Sequence, residues 1–163
     1  MFLILLLVTS FSYSQNQKVE REAFKLELIA DPENNYSADI PKSPYFVKEK
    51  VIQIYPGENL NIETEIKADT IYSMKVVEKV TSPEKTIKLK FLQNVTDRKN
   101  TQMILSVVNP FDRKIIYDAM MYTVGGQKWV PTSIIAIQPN LVGYETWPDV
   151  IATIVLENWR FTK

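Results

Sequence analysis

The chain contains no histidine and no cysteine. Histidine is the usual proton shuttle near neutral pH, and cysteine is the usual thiolate nucleophile and soft metal ligand. Their absence excludes a Ser-His-Asp triad, a Cys-His dyad, a structural zinc site and a Cys-ligated iron–sulfur cluster. Carboxylates, Lys, Tyr, Ser, Thr and oxygen-bound metals are what remain for chemistry. The expectation is a protein that is not an enzyme, with no cofactor, no metal and no catalytic residue. Net charge is missing as well, since 19 basic and 19 acidic side chains cancel. A nucleic-acid binder normally shows a basic surplus, so no nucleic-acid partner is expected. The run from Lys75 to Lys99 holds seven basic residues against three acids, which reads as a solvated strand face.

No run of apolar residues is long enough to cross a bilayer, which takes ~20 residues in a helix. Phe2–Val8 (FLILLLV) is a shorter apolar stretch followed by small polar residues. It reads as the core of a secretory signal covering residues 1–14, with Ser12 and Ser14 at the small positions before a cut at Gln15. No Lys or Arg precedes the stretch, and no cysteine follows it for lipidation. The expected product is exported, periplasmic or secreted, with no transmembrane segment. It lacks disulfides, so its stability must come from packing. Residues 15–22 are expected to be a loose leader and residues 23–163 a single domain, a size at which one core suffices.

What the chain has in abundance is β-branched residues: 17 Ile, 15 Val and 12 Thr against 7 Ala. That bias favours pleated, half-buried strands. Alternation supports it in Phe24–Leu28, Leu60–Ile66 and Ile87–Phe91. Further strands are expected over Val47–Tyr55, Ile71–Val80, Gln102–Val108, Lys114–Val124 and Ile151–Phe161. Of these, Gln102–Val108 and Lys114–Val124 read as buried on both faces. Trp129–Ile137, interrupted by Pro131, belongs on an edge. Pro56-Gly57, Ser82-Pro83, Asn109-Pro110 and Gly125-Gly126 mark reversals, and the last of these reads as a hairpin. Asp31–Pro44 reads as a long polar loop. The fold class is all-β: a two-sheet antiparallel β-sandwich of about eight strands.

The Pro56-Gly57-Glu58 turn into Leu60–Ile66, together with Val107-Val108-Asn109-Pro110-Phe111 leading into Ile115-Ile116-Tyr117, resembles small exported immunoglobulin-like sandwiches of bacteria. The likeness spans roughly residues 20–163 and lies in pattern. The Cys pair and intervening Trp of antibody domains are absent. The resemblance therefore implies an immunoglobulin-like sandwich but carries over no catalytic residue.

The densest group of recognition-type residues is Gly143-Tyr144-Glu145-Thr146-Trp147-Pro148-Asp149. Tyr144 and Trp147 would stack on a sugar ring, Glu145 and Asp149 would accept from its hydroxyls, and Trp129 would add a wall. The structural alternative is that Trp147 plugs one end of the sandwich. Glu145 and Asp149 are also the best-placed pair for glycoside hydrolysis, which demands a set spacing across a cleft. Asp31, Glu33, Asn34, Asn35 and Asp39 supply oxygen donors of the kind calcium takes, but such residues also crowd ordinary loops. Glu63 and Glu65 would pair across strands with Lys88 and Lys90. Tyr36, Tyr45, Phe46 and Tyr55 form either an interaction patch or packing, and packing is the favoured reading. The functional expectation is an exported, non-enzymatic module that recognises a protein or other ligand at the cell envelope. The alternative is a carbohydrate-binding or weakly carbohydrate-active protein with a glycan partner, using Trp129, Tyr144, Glu145 and Trp147.

Overall fold

The computed structural model describes residues 19–163. The expected signal peptide and residues 15–18 of the expected leader lie outside the described residues. In chain order the strands are β1 (Glu20–Arg21), β2 (Phe24–Ile29), β3 (Asn35–Ile40), β4 (Ser43–Pro44), β5 (Phe46–Lys48), β6 (Val51–Ile54) and β7 (Asn59–Lys67). They continue with β8 (Thr70–Val76), β9 (Thr86–Asp97), β10 (Asn100–Val108), β11 (Lys114–Thr123), β12 (Lys128–Thr132), β13 (Val142–Trp147) and β14 (Ile151–Thr162). One short 3-10 turn, Pro83–Lys85, precedes β9, and no α-helix occurs among the described residues.

Two five-stranded sheets form the body, ordered β13-β10-β9-β7-β8 and β12-β11-β14-β6-β5. All of their pairings are antiparallel. Their inner faces share one core: Ile52, Ile54, Ile115 and Ile154 from one sheet meet Leu60, Ile62, Leu89, Phe91 and Leu105 from the other. Each such side chain contributes about 1.5–3 kcal/mol through burial, which sets the driving force for the sandwich. Strand β10 alternates with Met103, Leu105 and Val107 inward and Ile104, Ser106 and Val108 half-exposed. Strand β11 likewise buries Ile115, Tyr117 and Ala119 on one face. The expected two-sided burial of these strands is thus replaced by one buried face, the residues of the other face staying partly or fully exposed.

The last strand shows how local irregularity serves packing. Its buried core residues are Ile151, Ile154, Leu156 and Trp159, with Phe161 packed against them, a spacing that departs from two. Register shifts against β11 fall between Ile116 and Asp118 and between Tyr122 and Thr123. Each is a bulge that returns the next apolar residue to the inner face. At the first bulge Asn158 takes a left-handed φ of 52°, a conformation Asn tolerates better than most residues. Strand β14 lies inside its sheet, and β12 is an edge strand, as expected from Pro131.

The Asp31–Pro44 segment is not a long loop, since Asn35–Ile40 forms β3, paired to β2 in register Leu26↔Ala38. Period-2 alternation over NYSADI is masked by small and polar residues, and only Ile40 is buried. The turn proper is Asp31–Asn34, and the same four-residue pattern recurs in Asp97–Asn100 at the β9–β10 hairpin. In each, the Asp Oδ1 accepts the backbone N–H groups two and three residues on, and the Asn side chain donates back to the Asp carboxylate. These bonds hold the Asp31 and Asp97 carboxyls below the usual range, the Asn34 and Asn100 side chains contributing most.

The two turns are tied together. Arg98 donates to the carbonyls of Pro32 (2.7 Å) and Asn34 (3.3 Å) and to Asn35 Oδ1 (2.9 Å). Gln93 forks onto Ile29, accepting its N–H and donating to its carbonyl. Of the side-chain oxygens considered for a cation, Asn35 Oδ1 thus accepts from a guanidinium and the Asp31 carboxylate is taken by Asn34. Glu63 and Glu65 also differ from expectation. Strands β7 and β9 are neighbours, but their register sets Asn61 opposite Lys88 and Asn59 opposite Lys90. Glu63 instead pairs with Lys75 at 2.7 Å and Glu65 with Lys67 at 3.0 Å.

Candidate functional site

Strand alternation decides where the expected recognition residues point. Tyr144 and Trp147 are three residues apart on β13, so they face opposite sides of the strand. Gly143–Trp147, absent from the expected strands, belongs to this edge strand, paired to β10 with Ser106 opposite Tyr144. Tyr144 is 68% exposed on the outer face, whereas Trp147 is buried and joins the core. Trp147 Nε1 donates to Thr132 Oγ1 at 3.0 Å, linking the edges of the two sheets. Glu145, half-buried on the Trp147 side, accepts the Ile135 N–H at 3.1 Å. Asp149 is exposed in the turn before β14. Trp129 stands on β12, in the other sheet, 44% exposed and edge-to-face with Tyr122 at 5.5 Å. The five residues thus lie on or next to two linked edge strands without forming one stacking face, and Trp147 occupies the plug position.

What joins β12 to β13 is a strap, residues 133–141: the strand expected over Trp129–Ile137 ends at Thr132, and its last five residues belong to the strap. It is held from inside by Asn109, a fully buried side chain at the Asn109-Pro110 reversal. Asn109 Nδ2 donates to the carbonyls of Arg113, Ile137 and Gln138, and its Oδ1 accepts the Phe111 N–H. Its backbone N–H donates to the Leu141 carbonyl at 2.9 Å. Ile137 bridges to Ile115 and packs onto the backbone of β13. A Cβ at Gly143 would lie 2.6 Å from Ile137 Cγ1, so only glycine allows this approach.

The strap and its flanking edges carry most of the exposed apolar surface. Among the described residues eight large apolar side chains are exposed, and five of them, Trp129, Ile135, Leu141, Val142 and Tyr144, fall between residues 129 and 144. Among the described residues, strand β13 pairs on one side only. Such a rim is the sort of surface that binds a partner.

A second constellation went unnoticed in the sequence. Tyr55-Pro56-Gly57-Glu58 closes a turn in which the Glu58 N–H donates to the Tyr55 carbonyl at 3.1 Å and Gly57 takes φ 98°. Pro at the second place and left-handed Gly at the third are what a type II turn demands. The turn brings the Tyr55 ring and the Glu58 carboxylate to one spot, and Arg21 of β1 enters there, only 1% exposed. Residues 20–22 are therefore not a loose leader: β1 pairs with β4, and Arg21 is among the most deeply buried side chains. An Arg flanked by Glu20 and Glu22 looks solvent-facing in sequence, and only its distant partners reverse that.

Burial also shifts three tyrosines. Desolvation pushes the Tyr45, Tyr55 and Tyr117 hydroxyls above the usual range, Tyr117 most of all, with the Glu145 charge adding to it. Tyr117 and Trp159 lie against each other in the core at 4.5 Å, and neither Tyr117 Oη nor Trp159 Nε1 has a hydrogen-bond partner among the described residues. No three acidic residues converge on a metal-sized site among the described residues, and no helix there is long and apolar enough to cross a membrane. No protein-family model, no curated protein and no solved structure matches the chain.

Proposed function

We propose that the protein is an exported, non-enzymatic recognition module of immunoglobulin-like kind that binds a protein partner at the cell envelope. The contact surface is the rim made by β12, the strap and β13. The observation that carries this reading is that five of the eight exposed large apolar side chains among the described residues, Trp129, Ile135, Leu141, Val142 and Tyr144, lie on β12, β13 and the strap that joins them. The edge position of β13 adds main-chain hydrogen-bonding capacity, the feature by which an extended partner segment joins a sheet. The glycan reading is less well supported, because Trp147 is spent in the core and Glu145 on the Ile135 N–H.

The test is affinity capture from envelope extracts with the wild-type chain and with Ile135→Ser, Leu141→Ser and Tyr144→Ser variants. Exposed substitutions of this kind change stability by no more than about 0.5 kcal/mol, so the melting curves should coincide. A partner held by the wild type and lost from the variants supports the rim. A partner held equally by all four chains, or a glycan bound through Trp129 and Tyr144 in its place, overturns it.

A further inference from the structure

The Arg21 side chain lies in a site built wholly by other segments. Its Nε donates to Glu58 Oε1 at 2.7 Å and its Nη2 to Glu58 Oε2 at 3.0 Å, a two-point fork on one carboxylate. Nη2 also donates to the Gln53 carbonyl at 2.8 Å, while Nη1 reaches Ser43 Oγ at 3.2 Å and the Pro44 carbonyl at 3.5 Å. All five N–H groups of the guanidinium are thereby met. Above and below, the rings of Tyr45 and Tyr55 each lie 4.7 Å from the guanidinium carbon. Two aromatic faces, a carboxylate and in-plane oxygens are the complement of a planar delocalised cation and not of a compact ammonium.

The main walls are anchored outside β1, and only the Ser43-Pro44 side, on β4, pairs with it. Glu58 Oε2 is held by the Tyr55 N–H at 2.7 Å, and Tyr55 Oη accepts from Gln53 Nε2 at 3.0 Å. Tyr55 is also braced edge-to-face by Phe24 at 5.9 Å. The Pro56-Gly57 turn sets the Tyr55 and Glu58 spacing, and β4 through β6 carry Ser43, Tyr45 and Gln53. From β1 comes only Arg21. Its neighbours Glu20 and Glu22 are exposed, and β1 pairs over just two residues, Glu20↔Pro44 and Arg21↔Ser43.

We infer that Tyr45, Tyr55, Glu58, Ser43 and the Gln53 carbonyl form a preorganised binding site for a guanidinium group, and that Arg21 is its built-in ligand. The N-terminal strand is then a latch held by one side chain, and the ligand class of the site is the arginine side chain or a small alkylguanidinium. This site lies apart from the β12–β13 rim, and neither reading needs the other.

The test uses the full chain carrying Arg21→Ala, which empties the cage while leaving its walls. Ethylguanidinium and ethylammonium are compared at equal concentrations by thermal melting. A ligand bound only by the folded chain raises Tm with the logarithm of its concentration above Kd. Ethylguanidinium should raise the Tm of Arg21→Ala by several degrees and bind about tenfold or more tightly than ethylammonium, which lacks the planar fork. The wild type, with its cage filled, should gain nothing from either cation, and Arg21→Ala/Glu58→Gln should lose the rescue. If Arg21→Ala is unfolded alone, the folded fraction recovered in circular dichroism is read with the same contrast. Equal responses to the two cations, or undiminished rescue in the Glu58→Gln background, would overturn the inference.

Discussion

Two aromatic groups sit on different parts of this sandwich and answer to opposite logic. Tyr45 and Tyr55 close on a charge, and every polar atom between them has a partner within the chain. Trp129 and Tyr144 stand on edge strands of opposite sheets with much of their surface in water. The first group is finished, since its chemistry is consumed in holding β1 to the body. The second is unfinished, and its exposed area is of use only to something outside the chain. Aromatic content alone does not separate the two. What separates them is whether charged and backbone groups converge on the rings.

Breaking the finished site should have the largest effect. Glu58→Ala leaves the Arg21 guanidinium buried opposite no carboxylate and also removes the acceptor of the Tyr55 N–H. Removing one partner of a buried ion pair costs about 3–5 kcal/mol, most of it from the charge left behind. Urea unfolding should show the extrapolated free energy falling by that amount, through a lower midpoint with little change in slope, and a loss below 1 kcal/mol would mean that water reaches Arg21 freely.

Trp147→Ala sharpens the comparison on the other side of the molecule, because Trp147 belongs to the rim in sequence and to the core in space. Deleting a buried Trp side chain costs about 3–5 kcal/mol, and the lower end is expected here, because an edge-strand cavity relaxes more readily. Tyr144→Ala, three residues away, should stay within about 0.5 kcal/mol of wild type. Similar losses at both positions would show that the outer face of β13 is covered by something the fold does not reveal.

Much of the architecture could be read from the chain because its carriers are local. Alternation in Leu60–Ile66, the Pro56-Gly57 and Gly125-Gly126 reversals and Pro131 on an edge strand each act over a few residues, and the sandwich uses them as such. Strand β3 escaped because the residues of its exposed phase, Asn35, Ser37 and Asp39, are typical loop residues and its inward phase includes the small Ala38. Strand β13 escaped because Gly143, Pro148 and Asp149 look like loop chemistry, although Gly143 is there to admit Ile137. The Arg21 cage was illegible for a stronger reason: its contacts bring residue 21 to residues 43, 53 and 58, and no local pattern encodes such pairing. Tyr45 and Tyr55 had been read as packing, and packing they are, but around a guanidinium. At the rim, the sequence singles out Trp129 and Tyr144 but not Ile135, Leu141 or Val142. The direction of each ring depended on one strand's phase.

A third aromatic pair lies between these extremes and gives the smallest effect. Tyr117 and Trp159 are buried like the cage tyrosines, yet Tyr117 Oη and Trp159 Nε1 lack partners among the described residues. A buried polar atom left unpaired costs about 1–3 kcal/mol, whereas removing it without changing shape recovers part of that penalty. Tyr117→Phe should therefore leave stability unchanged or raise it by about 1 kcal/mol, the reverse of Glu58→Ala. The same burial predicts a pH signature. Because the folded-state pKa of Tyr117 is raised, its hydroxyl stays protonated in the native chain while the unfolded chain ionises near its ordinary value of about 10. Stability is then insensitive to this group below pH ~10 and falls as pH rises beyond it, since the unfolded state alone loses the proton. Tyr45 and Tyr55 are raised in the same direction and add to the loss. Melting curves from pH 9 to pH 12 should show a steeper decline in wild type than in Tyr117→Phe. Parallel declines would mean that Tyr117 Oη is reached by water, which would move this pair out of the buried class and toward the rim.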